Sequence, residues 1–299
     1  MDTKRIMIGL DFSTMDQSVL QYASFFCGKI DIEKVYFIHI TPKISLDDDL
    51  LQEYNVSNLS NDEKIVEKMK EIVQSNFNNT NIETDFSVHE GNITEDFLHW
   101  IELKKVDLIF VGRKKTMGGS GLIPTRIARN SSASILFVPE KPQLSLKKIV
   151  VPTDYSEFSK NALQVAISLK EEDSVITCEN VYHVPLGFYK TGKSYEEFAE
   201  IMLHNTQNNF NKFIKEFNEK LEAHYSLDDD TSPADKIYKY AHDSSANLIV
   251  MGGKGRTFVS SVLIGSVAEK LIGYDSDIPL LILKSKTETW GIWKALQNM

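Results

Sequence analysis

Lys4-Arg5-Ile6-Met7-Ile8-Gly9-Leu10-Asp11-Phe12-Ser13 returns in the second half of the chain as Lys147-Lys148-Ile149-Val150-Val151-Pro152-Thr153-Asp154-Tyr155-Ser156. The apolar positions, the Asp, the aromatic and the Ser coincide. Beyond them, Leu20 and Ala23 match Leu163 and Ala166 on what reads as a following helix. Further on, Phe37-Ile38-His39-Ile40-Thr41-Pro42 pairs with Val181-Tyr182-His183-Val184-Pro185. Val106-Asp107-Leu108-Ile109-Phe110-Val111-Gly112 then pairs with Ala246-Asn247-Leu248-Ile249-Val250-Met251-Gly252. Matches in the same order identify an internal duplication.

Pro139-Glu140-Lys141-Pro142-Gln143-Leu144-Ser145 separates the copies, because two prolines so close disfavour both helix and sheet interior. The expected organisation is a first domain at 1–140, a second at 146–285 and a tail at 286–299. Two domains also suit a chain of 299 residues, near the size at which one core stops growing. Within each copy, short runs such as Ile149–Val151 lack polar alternation and read as strands buried on both faces. Helical patterns lie between them. Ile65, Met69, Ile72 and Val73 form one; Tyr195, Phe198, Met202, Phe210, Phe213, Ile214, Phe217 and Leu221 form a longer one, read as core-facing rather than as a ligand wall. The alternation predicts an α/β fold, with a mostly parallel sheet covered by helices on both faces in each copy.

Composition narrows the function. Apolar residues at 42% and charged residues at 25% describe an ordinary soluble globular protein. A net charge of -9 argues against gripping a nucleic-acid backbone, which needs clustered positive charge. No apolar stretch is long enough to span a bilayer, and the start shows no signal peptide, so a cytoplasmic location with no membrane partner is expected. Cys27 and Cys178, without metal-ligand spacing, read as buried thiols.

The chemistry concentrates in Ile249-Val250-Met251-Gly252-Gly253-Lys254-Gly255-Arg256, followed by Gly265-Ser266-Val267-Ala268-Glu269-Lys270-Leu271. A buried strand runs into a glycine-rich turn, and a helix is expected to start near Gly265-Ser266. Glycines let backbone N–H groups approach an anion, while Lys254 and Arg256 add positive charge. A helix start favours negative charge as well. The same residues would equally serve a tight turn with Ser266 capping a helix, and spacing alone does not separate the two readings.

Gly252, Gly255, Gly265 and Ser266 form G-x2-G-x9-G-S, which resembles the ATP-binding signature of the universal stress protein family. The resemblance takes in Val151-Pro152-Thr153-Asp154, His183-Val184 and the closing run Pro279-Leu280-Leu281-Ile282-Leu283, and so spans both halves as a tandem pair. It implies an open five-stranded sheet in each copy, of the adenine-nucleotide alpha hydrolase-like kind. It implies that Pro152, Thr153, Asp154 and Val184 line an adenosine pocket. Gly252, Gly253, Lys254, Gly255, Arg256, Gly265, Ser266 and Val267 would then cradle phosphates. For Asp154, a helix N-cap role is the competing reading.

The first copy departs from this pattern. Gly112-Arg113-Lys114-Lys115 puts Lys where the second glycine should stand, and Pro124-Thr125-Arg126 replaces the G-S helix start. Asp11, Ile40, Gly112 and Arg113 would form a degenerate site, with a solvated basic loop preferred over a second anion site. The function expected from the resemblance is binding of ATP or a related adenine nucleotide in the second copy as a regulatory ligand in stress response. Mg²⁺ would be held only through the nucleotide's phosphates. No residue set for efficient hydrolysis is evident, so at most a weak ATPase is expected, with no catalytic residue and no protein-held metal. The alternative is a nucleotide-free scaffold whose halves imitate a dimer, with an unidentified protein partner or a homodimer. A weaker alternative, an adenylating pyrophosphatase, lacks its expected S-G-G loop at Asp154-Tyr155-Ser156-Glu157. Asp47–Asp49 and Asp228–Asp230 read as solvated loops, and the Trp-bearing tail 289–296 as a docking segment.

Overall fold

The chain divides between Lys141 and Pro142 into two compact units. The computed structural model describes residues 5–42, 58–79, 81–113, 122–229, 231–255 and 264–284. The first unit runs β1 (Arg5–Gly9), α1 (Met15–Cys27), β2 (Lys34–Thr41), α2 (Asn58–Asn76), β3 (Glu83–Glu90), α3 (Ile93–Lys104), β4 (Leu108–Arg113), α4 (Leu122–Asn130) and β5 (Ser134–Pro139). The second repeats the order as β6 (Lys148–Pro152), α5 (Glu157–Leu169), β7 (Val175–Tyr182), α6 (Tyr195–Phe213), β8 (Glu222–Leu227), α7 (Pro233–Asp243), β9 (Leu248–Gly252), α8 (Ser266–Ile272) and β10 (Leu280–Leu283).

The strands of the first unit lie in the order β3-β2-β1-β4-β5 and those of the second in the order β8-β7-β6-β9-β10. Neighbours within each unit are parallel. Right-handed crossovers then place helices on both faces. That double cover is why the central strands carry unbroken apolar runs: Ile6, Met7 and Ile8 in β1 and Ile149, Val150 and Val151 in β6 are all buried. On the helices, Leu20 and Ala23 and their counterparts Leu163 and Ala166 are fully buried. In each unit the strand order reverses direction beside the first strand, so a crevice opens at the carboxyl ends of β6 and β9.

The aromatic stripe ends sooner than its spacing predicts. α6 stops at Phe213, a 3-10 turn covers Ile214–Glu216, and Phe217 is extended. Phe210 is buried against Tyr225 of β8, and Phe213 meets Tyr155 edge-on, so the stripe packs on the sheet. Among the described residues no helix is long and apolar enough to cross a membrane. Asp47–Asp49, Asp230 and the tail 289–296 lie outside the described residues.

Both cysteines are buried and unbridged. Burial pushes each thiol up to about 12, so almost no thiolate exists at neutral pH. The native chain should therefore resist a disulfide thiol reagent at pH 8 and release two equivalents only after denaturation. Fast labelling of either cysteine in the folded chain would contradict this burial.

Candidate functional site

Strand β6 delivers its last residues into a tightly tied turn. The Thr153 N–H donates to the Glu179 carbonyl at 2.8 Å, and the Thr153 carbonyl accepts from Asn180 Nδ2 at 2.7 Å. Thr206 on α6 donates to Asn180 Oδ1 at 2.6 Å, and its hydroxyl also meets the Tyr155 hydroxyl at 2.9 Å. This network holds Tyr155 at φ 64, a left-handed conformation costing on the order of 1–2 kcal/mol for a non-glycine residue. Phe12 stands at the equivalent place in the first unit with φ 59. The turn presents Asp154, whose Oδ1 accepts from the Ser156 N–H at 3.0 Å and from the Ser159 hydroxyl at 3.1 Å. The N-cap of α5 is Ser156, so Asp154 is not itself the cap.

Asp154 borders a cleft of about 360 Å³ at the carboxyl ends of the second unit's strands. That volume lies within the roughly 300–1,000 Å³ of small-ligand sites. Pro152, Thr153, Asp154, Gly252, Gly253, Lys254, Gly255, Gly265, Ser266 and Val267 all line it. Arg256 lies outside the described residues. Close approach explains two of the glycines. A Cβ on Gly252 would sit 3.0 Å from the Phe158 carbonyl oxygen, and one on Gly255 would sit 2.9 Å from Asp154 Oδ2.

Gly265, not Ser266, is the N-cap of α8. The Gly265 N–H is spent on the Gly253 carbonyl at 2.7 Å, which ties the glycine turn to the helix start. The first bond of α8 runs from the Glu269 N–H to the Gly265 carbonyl at 2.9 Å. The N–H groups of Ser266, Val267 and Ala268 precede it, and helix geometry gives them no partner inside the helix. All three residues line the cleft. Just beyond β10, burial and the neighbouring Lys254 ammonium lower Lys284 to about 8.

Opposite the glycine turn, α7 contributes Pro233 and Ile237. A capping box, in which Ser232 and Asp235 bond each other's backbone N–H, fixes that helix start. Lys270 of α8 bonds both, with its ammonium 2.8 Å from Asp235 Oδ2, and Tyr274 adds its hydroxyl. Lys270, Ser232 and Tyr274 together hold the Asp235 carboxyl well below the usual carboxylate range.

The register of β7 corrects the sequence pairing of the second strands. Arg5 of β1 is opposite Lys34, and its counterpart Lys148 is opposite Val175, which makes Ile38 equivalent to Glu179. The Leu10 N–H donates to the Ile38 carbonyl as the Thr153 N–H does to Glu179. His39, with Nδ1 2.7 Å from the Leu10 carbonyl, therefore matches Asn180, and Ile40 matches Val181. His183 is exposed beyond the end of β7, and Val184 is not among the residues lining the cleft. Val181 lines it instead. The His-Val dipeptide that drew the sequence pairing lies past the end of the strand.

The same register uncovers Glu179, which sequence patterning missed. It is 1% exposed and lines the cleft beside Val181. His224, its cross-strand partner on β8, places Nδ1 2.5 Å from Glu179 Oε2 and stacks on Tyr240 of α7. Burial raises the carboxyl above the usual range, opposed by the Ser226 hydroxyl and by His224. Glu179 Oε1 meets no donor at ordinary hydrogen-bond geometry among the described residues, although the Ser226 hydroxyl acts on the carboxyl from nearby.

The corresponding place in the first unit is built differently. Asp11 keeps its bond to the Ser13 N–H, Ile40 is buried, and Gly112 packs against Met15. Arg113, buried, occupies the register position of Gly253. Lys115 and the glycine-rich stretch 118–121 lie outside the described residues, while Pro124, Thr125 and Arg126 fall inside α4, whose start is Leu122. Where the second unit has Ser159, the first has buried Asp16, which accepts the N–H groups of Asp11 and Phe12 at 3.2 and 2.7 Å. Burial raises Asp16 to about 6, with the Asp11 carboxylate adding to the shift. A carboxyl raised in the folded state stabilises fully below its unfolded value of 3.8, and loses that contribution as pH climbs through 6. Asp16→Asn should therefore gain on the wild type by on the order of 1–2 kcal/mol between pH 4 and pH 7 in denaturant unfolding. A pH-independent difference between the two proteins would contradict the raised carboxyl.

The universal stress protein family model matches residues 2–139 and again 145–284. Two universal stress proteins of Methanocaldococcus jannaschii each match about half of the chain. MJ0531 is 34% identical over 142 residues, which is 46% of this chain and 82% of that protein. MJ0577 is 31% identical over 156 residues, 47% of this chain and 96% of that protein. Solved structures share the fold along nearly the whole length. A universal stress protein from Archaeoglobus fulgidus superposes with a TM-score of 0.66 at 16% identity, covering 95% of this chain and 99% of that one. A functionally unknown protein from Pseudomonas aeruginosa PAO1 reaches 0.63 at 12% identity, covering 99% and 98%. With the family model matched once in each unit, this chain belongs to the universal stress protein family, as a tandem two-domain member.

Proposed function

We propose that the second unit binds ATP or a related adenine nucleotide as a regulatory ligand, and that the first unit does not. The observation carrying this reading is the convergence of two unlike ends in one cleft. The N–H groups of Ser266, Val267 and Ala268 face phosphate oxygens across the glycine turn, with Lys254 beside them. The other end, walled by Pro152, Val181, Pro233 and Ile237, is apolar and suits a purine face. Asp154, held at the rim by its bonds to Ser156 and Ser159, is placed to accept from ribose hydroxyls.

The nucleotide's phosphates would hold any Mg²⁺. Among the described residues no group of three or more His, Cys, Asp or Glu side chains could hold an ion. In this reading the nucleotide acts by biasing conformation or partner choice. In the first unit, Arg113 in the place of Gly253 and Asp16 in the place of Ser159 alter both ends of the pocket. To test the reading, the purified chain is saturated with ATP, filtered free of excess and denatured, and the released small molecules are identified by mass spectrometry. Recovery of adenine nucleotide approaching one per chain is expected. Recovery of none from a saturating solution would refute it.

A further inference from the structure

Glu179 is a residue the duplication does not require. Its equivalent in the first unit is Ile38, equally buried, so an apolar side chain satisfies the same strand position in the same fold. In the second unit a carboxyl stands there, almost fully removed from water and in the wall of the cleft between Val181 and the β6 end. One oxygen, Oε2, is taken by His224 Nδ1. The other, Oε1, meets no donor at ordinary hydrogen-bond geometry among the described residues, with only the Ser226 hydroxyl acting on the carboxyl nearby, and a buried acceptor so poorly supplied is unfavourable. Whichever group holds the proton between Oε2 and Nδ1, Oε1 remains an acceptor.

We infer that Glu179 reads the base: its Oε1 accepts a hydrogen bond from an amino group on the edge of the bound nucleobase, and His224 holds the carboxyl in position for it. This rests on the nucleotide-site reading above and adds a specificity that the apolar walls cannot provide. Apolar surfaces such as Val181, Pro233 and Ile237 accept any purine face almost equally. A buried polar group discriminates, because a ligand lacking the matching donor leaves it unpaired. The chemistry therefore selects a base with an exocyclic amine, as adenine has at its 6-position, over a purine with hydrogen there. His224 is a positioning residue, stacked on Tyr240 and partly exposed.

The test compares ATP with purine riboside triphosphate, which differs only by lacking the 6-amino group, in equilibrium titrations of the whole chain. The wild type should prefer ATP by about tenfold or more, the scale of leaving a buried acceptor unpaired. Glu179→Ile, which copies the first unit, should bring the two affinities together. Equal affinities in the wild type would overturn the role of Glu179 while leaving the nucleotide site standing. A preference that persists in folded Glu179→Ile would assign the discrimination to another group and overturn it as well. Absence of binding by either triphosphate would remove the nucleotide site and this inference with it. The comparison of two ligands on the wild type needs no variant, so poor folding of Glu179→Ile would not rescue the claim.

Discussion

Gly255→Val should fold normally and bind ATP about a hundredfold more weakly than the wild type. A Cβ at this position would lie 2.9 Å from Asp154 Oδ2, and valine adds two methyl groups beyond it. Asp154 cannot swing away cheaply, because Ser156 and Ser159 hold its other oxygen. The glycine turn must then move, and it carries the Gly253 carbonyl that receives the Gly265 N–H and so sets the start of α8. Misplacing several backbone donors relative to a polyphosphate is worth on the order of 3 kcal/mol, which is about two decades in affinity. Titration with ATP, run beside thermal unfolding of the same sample, measures both halves of the prediction. Undiminished affinity in a folded variant would take the glycine turn out of the site.

Phe37→Ala carries the largest expected effect on stability. Phe37 is fully buried on β2, stacked on Phe86 of β3 at 5.1 Å and edge-on to Phe77 at 5.6 Å. Truncation leaves a cavity roofed by two aromatic rings that are themselves held by the sheet and by the end of α2. The cost should be about 3–5 kcal/mol, the range for buried aromatics cut to alanine. In a unit of this size that loss should lower its unfolding midpoint by roughly 10 °C or more. Calorimetry of the full chain reads the shift. A change of only a degree or two would mean that the β2–β3 aromatic cluster is not a packed core.

Most of the fold is legible in the sequence because its strongest signals are local. The unbroken runs at Ile6–Ile8 and Ile149–Val151 announce doubly covered strands, and Leu20, Ala23, Leu163 and Ala166 mark the helices that cover them. The glycine-turn end of the cleft is legible for the same reason, since Gly252, Gly255, Gly265 and Ser266 stand at a fixed spacing around one turn. The end walled by β7 is not. β7 is a buried strand that carries Thr177, Glu179 and Asn180, all under 10% exposed, so its apolar pattern is broken where the site lies. Asn180 and one oxygen of Glu179 are tolerated because partners far away in sequence bond them, Thr206 for Asn180 and His224 for Glu179 Oε2. Periodicity cannot see such partners, and the His183-Val184 pair offered a false match past the end of the strand. The signal that would have found Val181 is the repeated bond from the second strand to the carbonyl before the Asp, made by His39 in one copy and Asn180 in the other.

The duplication thus preserves the scaffold and divides the chemistry. Asp11 and Asp154 sit on equivalent strained turns, yet Asp16 stands where the second copy has Ser159, Arg113 where it has Gly253, and Ile38 where it has Glu179. Each difference removes from the first unit a feature the second uses to line its cleft. The most direct measurement of that asymmetry is the number of nucleotides bound per chain, from calorimetric titration of the full-length protein with ATP. One site per chain is predicted, weakened about a hundredfold in Gly255→Val and untouched by Asp16→Asn. Two equivalent sites, or none, would contradict the account.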